Sequence, residues 1–181
     1  MKKKSQIKKG ITYAVIALFV GVSIVPSILG LEGVDYHLVD EDTEYWAIIF
    51  AVGIYYKHPE QNRPSMIECA ENLYKVLIDS PNWQEDHIHK IIAYEATGRR
   101  LIRELLWLIR NEDSDDMSLI YLTSHGGPML DQDGNPLDLP PKDEDDGADE
   151  VLVMYNGFDK WYAFIWDDLL NFFLKIQFVL N

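Results

Sequence analysis

His125 is the residue of this chain best placed to do chemistry. It follows the apolar run 119–122 and Thr123-Ser124, and it precedes Gly126 and Gly127. Such a run reads as a buried strand, and open α/β sheets build their sites beyond the carboxyl ends of strands. Imidazole titrates near neutrality, so a histidine there reads as a general base or acid. The two glycines let a ligand approach the backbone closely. Ser124 is a poor dyad partner, because adjacent strand residues point to opposite faces. His37, His58, His87 and His89 lack this setting, although His87 and His89 flank a strand start as a weak metal pair. Cys69 is the only cysteine and lies on an apolar helical stripe, where it reads as a small hydrophobe.

The second group of candidates is acidic. Residues 131–150 hold nine acids and one lysine. The stretch from Asp131 to Asn135 begins like a calcium loop, but the sixth position, which needs glycine, is Pro136, and an EF-hand is excluded. Asp143, Asp145, Asp146, Asp149, Glu150, Asp167 and Asp168 have the charge density to hold a hard cation. A solvated acidic loop has the same composition, so both readings stand.

The elements that must position these residues follow from pattern. Residues 45–54 form a continuous apolar, β-branched and aromatic run, which suits a central strand covered on both faces. Ser65 then caps a helix with Met66, Cys69, Ala70, Leu73, Val76 and Leu77 on one face, ending before Pro81. Residues 88–93 read as a strand. Thr97 opens a second helix with Leu101, Ile102, Leu105, Leu106, Leu108 and Ile109 on its apolar face, and residues 118–123 are the next strand. The alternation predicts an α/β fold, a three-layer sandwich with a mostly parallel sheet. Residues 151–155 and 161–165 flank Asn156-Gly157 as a hairpin. Asp167-Asp168 opens a short helix through Phe173, and residues 175–181 read as the start of a strand.

Composition bounds the partners. Residues 1–30 carry five lysines ahead of an apolar run at 11–29, the layout of a signal peptide or a membrane anchor. The chain is therefore expected to be exported, either extracellular or anchored with the domain facing outward. Residues 31–44 read as a linker and 45–181 as one domain. Without the leader, 11 basic residues face 30 acidic ones. That balance disfavours nucleic acid and favours cations or substrates with basic side chains.

Taken in order, several segments resemble the caspase and metacaspase group of cysteine peptidases. They are Ala51-Val52-Gly53-Ile54, Cys69-Ala70-Glu71-Asn72-Leu73, Ser114-Asp115-Asp116 and Ser124-His125-Gly126-Gly127, then the acidic run 143–150 and Asp167-Asp168-Leu169-Leu170. The resemblance covers roughly residues 45–181. It implies a caspase-haemoglobinase fold and peptide-bond hydrolysis by a Cys-His dyad. On that resemblance His125 is the dyad histidine and Gly126 helps stabilise the oxyanion. Asp167 and Asp168, with Asp143 and Asp149 from the acidic run, would bind calcium, and cleavage would follow arginine or lysine.

One departure bears on activity. The family's cysteine follows a fourth strand in an Asp-Ser-Cys-like turn. Residues 176–180 would be that strand here, and Asn181 falls where the aspartate is expected. The resemblance therefore implies a domain truncated before its nucleophile and inactive alone. The alternative is a non-catalytic module that binds calcium or peptide, or that pairs with a complementary chain supplying the cysteine.

Overall fold

The structure is a computed structural model that describes residues 43–180, apart from 132, 141, 143, 161 and 162. The signal or anchor at 1–30 with its apolar run 11–29, most of the linker, Asp143, two hairpin residues and Asn181 lie outside the described residues. Among the described residues no helix is long and apolar enough to cross a membrane.

Strand β1 (Tyr45–Ala51) is buried along its whole length. It runs between β2 (Ile88–Ile92) and β3 (Met117–Thr123), parallel to both, in the order β2-β1-β3. Strand residues alternate between faces, which divides the core in two. Trp46, Ile48 and Phe50 meet α2 (Gly98–Asn111) through Leu101, Leu105 and Leu108. Ala47, Ile49 and Ala51 meet α1 (Pro64–Ile78) through Ala70 and Leu77. Helices thus cover both faces of a parallel sheet, the α/β layering anticipated.

A second sheet, antiparallel and in the order β4-β5-β6, follows β3 in the chain. Its strands are β4 (Gly126–Pro128), β5 (Glu150–Val153) and β6 (Phe164–Trp166). The hairpin therefore exists with the pairing Leu152↔Ile165, but a ten-residue connection replaces the two-residue turn expected at Asn156-Gly157. Gly157 is still required there, because a Cβ would lie 2.6 Å from Val153 Cγ1 and 2.9 Å from the Ala163 carbonyl oxygen.

Three further expectations are corrected. Residues 175–180 are helix and not strand: α3 runs unbroken over Asp167–Leu180. Leu169, Leu170 and Phe173 pack on the core at helical spacing, and that period carries through the apolar residues that follow. The first helix begins at Pro64, so Ser65 lies inside its first turn and the cap position falls to Arg63, which makes no side-chain cap bond; proline suits the first position, where its missing N–H leaves nothing unpaired. Its apolar face is narrower than the stripe, with Cys69 exposed and Val76 65% exposed. Thr97 caps α2 as expected, its hydroxyl accepting from Arg100 N–H.

Two outcomes test this core. Phe50→Ala should cost about 3–5 kcal/mol in urea unfolding, whereas Val76→Ala should stay within about 0.5 kcal/mol. Cys69 should react with a thiol reagent in the native state at close to the rate of the unfolded chain.

Candidate active site

The end of β1 builds the wall against which His125 rests. Gly53 turns the chain off the strand at φ +59°, where a Cβ would sit 2.5 Å from Ile67 Cγ1. The Gly53 carbonyl accepts from Arg63 N–H at 2.7 Å, and Asn62 Oδ1 accepts from Tyr55 N–H at 2.9 Å. These bonds close residues 53–63 into a loop that offers two groups to His125. The Tyr55 hydroxyl oxygen accepts the His125 backbone N–H at 2.7 Å, and the Gln61 carbonyl lies 2.7 Å from His125 Nε2. A carbonyl can only accept, so Nε2 carries the hydrogen and Nδ1 is left as the basic nitrogen.

The ring is also held by its neighbours. Tyr55 lies 5.0 Å from it between centroids, and Phe158 meets it edge-on at 5.7 Å. Phe158 packs edge-on against Tyr55 as well. Burial raises the Tyr55 hydroxyl above its usual pKa of 10.0, an effect that the His125 N–H bond and the Arg63 charge partly offset. Tyr55 therefore stays a neutral acceptor across the neutral range.

Strand pairing sets the direction of the Gly126 N–H, the expected oxyanion donor. The His125 carbonyl accepts from Val153 N–H at 2.8 Å, and Gly126 pairs with Leu152. In antiparallel alternation this makes Gly126–Leu152 the pair without mutual hydrogen bonds, so the Gly126 N–H faces away from β5. His125, Gly126 and Gly127 line an open cleft of about 600 Å³ together with Val151, Phe158 and Phe164. At its rim Asp159 Oδ1 lies 3.2 Å from Lys57 Nζ, tying the 53–63 loop to the β5–β6 connection.

The remaining candidates separate. Cys69 stands on α1 close enough to Tyr121 of β3 for its charge to help raise that hydroxyl, behind the larger effect of burial. His87 stacks on Trp46 at 3.7 Å and His89 on Trp107 at 3.5 Å, so each imidazole packs on a different tryptophan. His89 also pairs with the buried Glu104, whose other oxygen lies 2.6 Å from Arg100 Nε. Of the expected metal ligands, Asp167 joins Glu144 and Glu150, with one oxygen from each within 4.8 Å of the others. Asp149 is fully buried and its Oδ2 accepts from Leu139 N–H at 2.8 Å, which makes it a brace of the acidic loop. Asp168 follows Asp167 in the first turn of α3 and has its own partner. Asp143 lies outside the described residues. Pattern reading missed Tyr55, Gln61 and Phe158, and only the glycines beside them, Gly53 and Gly157, signalled tight turns there.

No protein-family model matches the chain. Three curated relatives match part of it. Metacaspase-1 of Saccharomyces cerevisiae is 25% identical over 107 residues, covering 56% of this chain and 23% of the relative. Metacaspase-4 of Arabidopsis thaliana is 24% identical over 107 residues, covering 56% and 24%. Metacaspase-1A of Neurospora crassa is 25% identical over 108 residues, covering 56% and 22%. The chain spans about a quarter of the length of these relatives. A crystal structure of a Geobacter sulfurreducens protein superposes with a TM-score of 0.55 at 16% identity, over 74% of this chain and 45% of that one, which shows the fold alone. Over the matched region the sequence likeness supports a caspase-like, metacaspase-like peptidase family.

Tyr55→Phe should cost about 1–3 kcal/mol, because it leaves the His125 N–H without its acceptor. The raised hydroxyl also sets a pH dependence. Its folded pKa lies above the unfolded one, so its contribution is complete below pH 10.0 and is lost as pH rises through the folded value. Thermal melts above pH 10 should fall less steeply for Tyr55→Phe than for the parent chain.

Proposed function

We infer that the chain carries the histidine-bearing part of a caspase-like cysteine endopeptidase, with His125 and Gly126 as half of its catalytic apparatus. The observation that carries this reading is the Gln61 carbonyl on His125 Nε2. In hydrolysis by a Cys-His pair the imidazole takes the thiol proton, the thiolate attacks the carbonyl carbon, and the imidazole then protonates the leaving amine. An N–H donor must meanwhile hold the oxyanion. Nδ1 of His125 suits the proton transfers and the Gly126 N–H suits the oxyanion.

Cys69 does not suit the thiol's role, because it stands exposed on α1 and is not among the residues that line the His125 cleft. The chain alone accordingly binds peptide without cleaving it, and the thiol comes from outside this sequence. The outer edge of β3 supports a place for a strand that brings it. Among the described residues β3 pairs only with β1. The Thr123 carbonyl and the Met117 N–H both bond towards β1, so Ser118, Ile120 and Leu122 turn their backbone groups outward. That edge leads directly to His125. Export follows from the leader-like residues 1–30, and the acidic balance favours peptides with basic side chains.

A second reading, a calcium-binding module, is favoured by the grouping of Glu144, Glu150 and Asp167. Calcium takes six to eight hard oxygen ligands, and three carboxylates fit part of such a shell.

Purified chain with calcium should show no turnover of arginine or lysine peptides. Turnover that survives Cys69→Ala and disappears in His125→Ala would contradict the external thiol. For the second reading, calorimetric titration should give calcium binding that weakens at least about tenfold in a Glu150→Gln, Asp167→Asn double variant. Heat unchanged by that variant would remove these residues as ligands.

A further inference from the structure

We propose that the cleft beside His125 takes an apolar side chain of an extended peptide, and that Phe158 selects it. This rests on the peptidase reading of the site and adds the chemistry of the substrate. Val151, Val153, Phe158 and Phe164 are the apolar side chains that line the cleft beside the imidazole. Phe158 is 38% exposed, although three ring neighbours, Tyr55, His58 and His125, hold it. A held, half-exposed aromatic ring offers apolar surface that an apolar ligand side chain can cover without further ordering of the ring.

The charged side chains lining the cleft are one aspartate and one lysine, so their signs balance. Asp159 is paired with Lys57, and Lys160 has a partner of its own. A cationic side chain entering here would share Asp159 with Lys57, whereas an apolar one displaces only water. A basic residue elsewhere in the peptide remains free to meet the acidic segment 131–150.

The main chain next to these side chains suits an extended ligand. Among the described residues strand β4 pairs on one side only, and Gly126 turns its N–H and carbonyl to the other. A peptide strand laid along that edge gains backbone hydrogen bonds, and its side chains then take their preference from the adjoining pocket. Gly126 and Gly127 line the same cleft as Phe158, so edge and pocket are continuous.

The test is calorimetric or NMR titration of the full chain with blocked alanine pentapeptides whose central residue is leucine, glycine or arginine. The leucine peptide should bind at least about tenfold tighter than the glycine peptide, as expected for covering one aliphatic side chain. Phe158→Ala should reduce leucine binding to the glycine level, and Phe158→Leu should keep most of it. Phe172→Ala, an exposed aromatic on α3, should change nothing. Equal binding of all three peptides, or tightest binding of arginine, overturns the apolar pocket while leaving the peptidase reading in place. Absence of binding by every peptide overturns both.

Discussion

A parallel strand sealed from water on both faces must find partners for every backbone group it carries, and β1 is such a strand. Its seven buried residues are satisfied only because β2 and β3 lie on either side of it in parallel register. Parallel neighbours cannot be joined by hairpins, so the chain must cross over, and α1 and α2 are those crossovers. The apolar faces of the two helices then close the two halves of the core. The point where β1 ends is consequently fixed from three directions, and the loop of residues 53–63 grows from that fixed point.

The candidate site inherits this rigidity. His125 is not anchored by its own strand alone, since its backbone N–H is held by Tyr55 and its Nε2 by Gln61. Both partners belong to the loop that leaves β1. The carbonyl side of His125 is held by β5 through Val153. A histidine gripped at backbone and ring has one free nitrogen and one orientation, which is the preorganisation proton transfer needs. The Lys57–Asp159 pair joins the two loops at the rim, but it is exposed and contributes at most about 1 kcal/mol. Packing of Phe158 against Tyr55 and His125 is the stronger tie.

Much of this was legible in the sequence for a physical reason. The continuous apolar run 45–54 and the strand at 118–123 alternate with two amphipathic helices, and the parallel α/β order follows from that alternation. The glycines after His125 marked a site, although not that Gly126–Pro128 itself forms a strand pairing with β5. The tail 175–180 failed as a strand because a nearly all-apolar segment has no period of its own, and the helix before it decides its state. Cys69 and Val76 lie at the margin of the α1 stripe, where period alone does not distinguish buried from exposed. Tyr55, Gln61 and Phe158 were invisible because they contribute through a hydroxyl, a main-chain carbonyl and a ring edge. None of these leaves a spacing in the sequence. The acids divided similarly, Asp149 being a brace and Asp167 a member of a carboxylate group that composition did not single out.

The central claim is that the Gln61 carbonyl fixes the proton of His125 on Nε2 and leaves Nδ1 basic. Long-range ¹H–¹⁵N correlation NMR of the imidazole ring, at a pH where it is neutral, reads that proton directly. The account predicts a single Nε2–H tautomer, with Nδ1 at a pyridine-like ¹⁵N shift. A dominant Nδ1–H tautomer, or the averaged shifts of a freely exchanging ring, would contradict it.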